Sequence, residues 1–174
     1  MKKAYELVCL FGFSSHFVEL AKYCESLRIS CVIVHGVRQS ESIKSLDLPK
    51  SVDIICTDKL KNGFYDQIEV KTNKTLGISF GSPFIFDKYD IGNFEGNLIN
   101  SHGAPLPEFK GGGGYSWRIL QRDKRGCALM HLVSQKIDEG AVVFRHDFLF
   151  ADNEREPGQY ERRQNKEEVY QMMT

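Results

Sequence analysis

The chain has 174 residues, 23 Lys+Arg balanced by 23 Asp+Glu, 41% hydrophobic residues and 15 Gly, which is enough apolar material for a single core. This composition excludes a collagen-like, disordered or disulfide-stapled chain. The zero formal net charge lacks the basic footprint that neutralises phosphates, so no nucleic acid is expected as the main partner.

The first ninety residues alternate between strand and helix patterns. Met1-Lys2-Lys3 is followed by Ala4-Tyr5-Glu6, which does not make a secretory signal. Tyr5 to Phe11 is a short apolar run stopped by Gly12, the pattern of a buried parallel strand. Ser14 or Ser15 can cap the next helix, whose Phe17, Leu20, Ala21 and Cys24 share one face. Cys31 to His35 completes a strand-helix-strand unit, for which a right-handed crossover and a parallel sheet are expected. After a polar, serine-rich stretch from Arg38 to Lys50, Val52 to Cys56 and Thr75 to Phe80 read as further strands, and Gly92 to Gly96 as a turn. Asn97 to Asn100 is a short strand entering a loop rich in Gly and Pro. Tyr115 to Arg122 reads as a helix, Cys127 to Val133 as a strand and Ala141 to Phe150 as a final strand pair.

From Ala151 onward ten of the last twenty-four residues are charged, which divides the chain into a main folded domain over 1–150 and a charged linker plus solvated helix over 151–174. No apolar run reaches the roughly 18 residues a membrane span needs, so no membrane is expected and the cytoplasm is the expected location. The five cysteines (Cys9, Cys24, Cys31, Cys56, Cys127) are odd in number and scattered, and read as reduced core residues. Neither they nor His16, His35, His102, His131 and His146 show metal-ligand spacing, so no metal is expected.

Three local features can carry chemistry. Gly111 to Gly114 has the look of a phosphate cradle but lacks the Lys-Ser/Thr of a P-loop and the spacing of a dinucleotide fingerprint. It reads either as a flexible turn or as backbone that approaches a ligand closely. Asn100-Ser101-His102 stands at a strand end, where open α/β sheets place their ligands. Asp138 follows at another strand-to-turn boundary. An amide that donates to an oxyanion, an imidazole that exchanges protons near neutral pH and a carboxylate that orients it are the parts of acyl transfer. A histidine beside a Pro-rich loop and an ordinary Asp-Glu-Gly turn are the competing structural readings.

Asn100-x-His102, Pro107, Phe109-Lys110-Gly111 and Asp138-x-Gly140, in that order, resemble the signature of the 10-formyltetrahydrofolate-dependent formyltransferases, with Phe80 to Phe86 at the position of the family's folate-lining loop. The resemblance covers roughly residues 76 to 144. It implies a Rossmann-like three-layer α/β fold with a mostly parallel central sheet, and 10-formyltetrahydrofolate as formyl donor. By the family's pattern Asn100, His102 and Asp138 are the catalytic trio. Phe80, Gly81, Ser82, Pro83, Phe84, Ile85, Phe86 and Gly140 fall in the donor-binding part, and Lys110, Gly111, Gly112, Gly113, Tyr115 and Trp117 on the acceptor side. The chain departs from the pattern at Ala104-Pro105-Leu106-Pro107, and at Lys110, where an Arg is usual and bidentate geometry is lost.

Within the family, Gly12 to His16 lacks the phosphate loop of the glycinamide ribonucleotide enzymes. Arg38 to Lys50 lacks the Arg- and Gly-rich insertion of the methionyl-tRNA enzymes, and no basic C-terminal domain follows before Thr174. A small primary amine, foremost the amino group of a nucleotide-linked amino sugar, is therefore the expected acceptor. Methionyl-tRNA or glycinamide ribonucleotide formyl transfer, hydrolysis of formyltetrahydrofolate, and non-catalytic folate or nucleotide binding are the alternatives. A homodimer is compatible with the sequence.

Overall fold

The structure is a computed structural model that describes residues 5–60, 63–71, 73–112 and 114–172. The expected elements appear as an α/β fold of seven strands, mostly parallel, in the hydrogen-bonded order β3-β2-β1-β4-β5-β6-β7. In chain order these are β1 (Leu7–Gly12), β2 (Ser30–His35), β3 (Val52–Cys56), β4 (Thr75–Phe80), β5 (Leu98–His102), β6 (Arg125–Leu132) and β7 (Val142–Leu149). The helices are α1 (Phe17–Ser26), α2 (Ser40–Lys44), α3 (Phe64–Gln67), α4 (Lys88–Gly92), α5 (Gly114–Leu120) and α6 (Pro157–Met172). The chain divides into two compact units, 1–100 and 101–174, with the division inside β5.

In the first unit β1 pairs in parallel with β2 and β4, and β2 with β3. All six residues of β1 are buried, as a run apolar on both faces requires. Phe11 is its hub, with edge-on contacts to Phe84, Phe86 and Phe94 at 6.3, 5.2 and 6.0 Å between ring centres. Gly12 ends the strand at φ +96°, and a Cβ there would stand 2.2 Å from the Phe80 carbonyl oxygen, so the last residue of this strand has to be glycine. Ser14 stands just outside α1, where its Oγ accepts from the His16 N–H; no side chain caps the helix itself. The short helices α3 and α4 were not legible in the sequence. Asp87 caps α4 by accepting from the Tyr89 and Asp90 N–H groups, while Asp90 accepts from Asp87 N–H and from the Tyr65 hydroxyl.

In the second unit β6 and β7 form an antiparallel pair with a register shift between Met130 and His131. Ala141 to Phe150 therefore holds one strand that returns along β6, not the strand pair expected from its length. Within the expected charged segment Pro157–Met172 forms α6, which is not wholly solvated. Tyr160 and Gln164 are buried; the Gln164 amide donates to Cys127 O at 2.7 Å, the Tyr160 hydroxyl to Asp123 O, and the Tyr160 ring stacks on Phe150 at 3.8 Å. Cys56 is also corrected from core to exposed, while Cys9, Cys24, Cys31 and Cys127 are buried. Burial pushes the Cys9 and Cys127 thiols up to about 12, so neither is a nucleophile near neutral pH. No helix among the described residues is long and apolar enough to cross a membrane.

Candidate active site

β5 ends on Asn100-Ser101-His102, and alternation along a strand gives Asn100 and His102 the same face. The chain then turns through the proline-containing loop to Phe109 and Gly111. Within the second unit this loop pins both His102 and Asp138 of the expected trio. The His102 Nε2 atom lies 2.7 Å from Phe109 O, and the Gly111 N–H donates to Asp138 Oδ2 at 2.7 Å. A carbonyl oxygen only accepts, so the hydrogen of the His102 ring sits on Nε2 and Nδ1 faces Asp138 Oδ2 at 3.6 Å. Both side chains are largely shielded, at 12% and 10% exposure, which strengthens their interaction relative to water.

Asp138 sits in the turn between β6 and β7 at φ +53°, a conformation that Asp tolerates better than most residues. Gly140 closes that turn. A Cβ there would stand 1.6 Å from Leu132 O, next to the Leu132 N–H to Ala141 O hydrogen bond of 2.9 Å. Its identity is thus set by close backbone approach beside the site.

A second imidazole, which the sequence reading passed over except as a metal ligand, joins the carboxylate. His131, near the end of β6, places Nε2 3.3 Å from Asp138 Oδ1 while its Nδ1 lies 2.8 Å from Leu132 O. The signal that could have found it is its position seven residues before Asp138, at the far end of the strand that leads into the same turn. Glu139 is the other unforeseen participant. Lys110 bonds it at 2.8 Å and Lys136 lies at 3.5 Å, and Lys110 first, then Lys136, holds the Glu139 carboxyl below its ordinary value of 4.5. Lys110, expected on the acceptor side, is paired with Glu139 across partly exposed side chains.

The remaining expected residues are placed as follows. Trp117 is 60% exposed on α5, and Gly112 is exposed with open space around it. Gly113 and the Tyr115 side chain lie outside the described residues. In the first unit, Phe80, Phe84 and Phe86 are buried in the core, so only their backbone can meet a ligand. Gly81, Ser82, Pro83 and Ile85 form the accessible part of that loop; Ser82 Oγ accepts from Phe84 N–H, and Gly81 O from the Gln39 amide.

No family model matches the chain. The methionyl-tRNA formyltransferase of Mycoplasma genitalium is 26% identical over 107 residues, which are 62% of this chain and 34% of that protein. The chain thus aligns with about a third of the length of this curated relative. Among solved structures, glycinamide ribonucleotide transformylase 1 from Symbiobacterium toebii superposes with a TM-score of 0.73 at 16% identity, over 98% of this chain and 84% of that one. WlaRD, a sugar 3N-formyltransferase solved with dTDP and 5-N-formyl-THF, gives 0.70 at 17% identity, over 97% of this chain and 60% of that one. These likenesses show the fold, shared by proteins named for three different acceptors.

Proposed function

We propose that the protein transfers the formyl group of 10-formyltetrahydrofolate to a primary amine, with the amino group of a nucleotide-linked amino sugar as the leading acceptor class. The observation that carries the reading is the His102–Asp138 pair at the end of β5, on a fold shared with formyltransferases. The formyl donor would rest on the accessible backbone of the Phe80–Phe86 loop, whose buried aromatic side chains fix its shape.

The chemistry follows from the donors available. An uncharged amine attacks the formyl carbon, forming the new C–N bond and driving charge onto the formyl oxygen. The His102 Nε2–H, which donates to Phe109 O when no ligand is bound, is the donor that the oxyanion takes over; the Asn100 amide, on the same strand face, is the second. The amine's surplus proton passes through a water accepted by Asp138 to the donor nitrogen, and the old C–N bond breaks.

Three features support a small acceptor. The chain carries no net charge, Trp117 offers an exposed aromatic face for a base or sugar, and Gly112, five residues before it, leaves open space where a side chain would stand. The test is to incubate the protein with 10-formyltetrahydrofolate and a panel of nucleotide-linked amino sugars, following the formylated product and formate separately. Formylation of at least one sugar is expected. Donor turnover with no formylated sugar removes the acceptor assignment, and formate release that needs no amine replaces transfer by hydrolysis.

A further inference from the structure

The outer edge of β7 has no part in the chemistry above. The Phe150 N–H donates to Lys124 O at 2.9 Å, one step beyond the Arg125–Leu149 pair of the β6–β7 register. Hydrogen-bonded and non-bonded residues alternate along an antiparallel pair, so Phe148, His146 and Phe144 also bond β6, and the N–H and C=O groups of Arg145, Asp147 and Leu149 point away from it. β7 ends the sheet order, and among the described residues no strand pairs with that edge. Val143, which has no counterpart at the register shift, closes the regular stretch. The residues of this edge run apolar, cationic, anionic, apolar. Val143 and Leu149 are 53% and 72% exposed, and Arg145 and Asp147 between them are exposed too. Unpaired backbone groups in such a row are a template for another strand.

We propose that this edge pairs with the same edge of a second copy of the chain, antiparallel about a two-fold axis at His146. Charge selects both the occupant and the register. With His146 at the axis, Arg145 stands opposite the partner's Asp147, Asp147 opposite the partner's Arg145, and Val143 opposite the partner's Leu149. Two opposite-charge pairs then lie between two apolar pairs, all at positions whose backbone groups are open for bonding. A centre at Arg145 or Asp147 sets like charges face to face, and a centre at Phe144 or Phe148 sets both charges opposite apolar residues. The Arg145–Asp147 contact of 3.0 Å within the strand already holds the two side chains on one face, ready to join the partner's pair. The contact is self-complementary, as a closed two-fold dimer requires. It extends the β6–β7 pair into four antiparallel strands across the two copies, and it does not depend on the formyl-transfer reading.

The test measures association by sedimentation velocity over a wide range of protein concentration, where a concentration-dependent dimer is expected. Arg145→Asp and Asp147→Arg each turn two attractive pairs into two like-charge pairs and should weaken the dimer about tenfold or more, whereas the double reversal restores opposite charges and should return to within about threefold of wild type. Circular dichroism checks the fold of each variant. Cross-linking reads the register independently and serves if a charge variant fails to fold. In a Cys56→Ser background, which removes the exposed native thiol, His146→Cys should form a disulfide between copies with oxidised glutathione, because residues facing at a non-bonded position have Cα atoms about 4.5 Å apart, within disulfide reach. Leu149→Cys, which faces the partner's Val143, should not. A protein that stays monomeric throughout overturns the proposal. So does a dimer that both charge reversals leave intact, or one that cross-links through Leu149→Cys and not through His146→Cys.

Discussion

Gly140→Ala puts the geometry of the Asp138 turn to a direct trial. The added Cβ would stand 1.6 Å from Leu132 O and 2.7 Å from Leu132 C, where ordinary contact begins at 3.4 Å. Both atoms are backbone, so no side chain can swing aside, and the turn has to retreat from β6 by more than an ångström. That movement breaks the Leu132 N–H to Ala141 O bond and displaces Asp138, two residues upstream, from His131. A lost backbone hydrogen bond of about 1 kcal/mol and an overpacking strain of about 1–3 kcal/mol together give about 2–4 kcal/mol. At roughly 2–4 °C per kcal/mol for a chain of this size, Tm should fall by roughly 4–16 °C. Urea denaturation with a thermal melt by circular dichroism measures both quantities. Gly112→Ala, where an added Cβ meets nothing within 4 Å, is the control and should stay within about 0.5 kcal/mol. A Gly140→Ala protein within that same margin would refute the close-approach reasoning.

Other elements of the second unit give further expectations. Arg118 is fully buried, donates to Gly103 O at 2.8 Å and Arg125 O at 2.7 Å, and lies over the Phe150 and Tyr160 rings. Arg118→Ala, read by urea denaturation, should cost about 3–5 kcal/mol, because charge-assisted bonds and packing vanish together and two carbonyls lose their donors. Tyr160→Ala should cost about 3 kcal/mol or more in the same assay and expose α6 to proteolysis, whereas Tyr160→Phe should lose only the bond to Asp123 O, about 1 kcal/mol. Asp123 is held below its ordinary value of 3.8, chiefly by its side-chain bonds to Arg125. Its contribution is present above that value and fades as pH falls through the lowered one, so Asp123→Asn should lower stability at neutral pH and flatten the acid limb of the profile, the two proteins converging as pH falls, with the shape above pH 6 unchanged.

Much of this fold was readable because its central strands are apolar on both faces. Val52–Cys56 and Thr75–Phe80 have the bounds read from the sequence, and β1 and β2 differ by one or two residues at an end. The failures have physical causes. Helices α3 and α4 hold four and five residues, too few to display a 3.6-residue period. In α6 the charged residues dominate the average while, among the described side chains, Tyr160 and Gln164 mark the buried face. Ala141 to Phe150, apolar at both ends around Arg145-His146-Asp147, reads as a strand pair, yet its alternating exposure belongs to β7 alone. At the site, His102 and Asp138 were legible as polar residues at strand ends, and the structure brings them together. His131 was hidden inside an apolar strand, and the part played by Phe109 belongs to its carbonyl, which no side-chain pattern encodes.

The most direct trial of the central claim follows 10-formyltetrahydrofolate consumption by the wild-type protein and by His102→Ala and Asp138→Ala, with or without amine, with circular dichroism confirming that each variant is folded. Consumption by the wild type and a loss of at least about 100-fold in each variant is the predicted result. No consumption by the wild type, or near-wild-type rates in folded variants, would contradict a formyl-transfer site built on this pair.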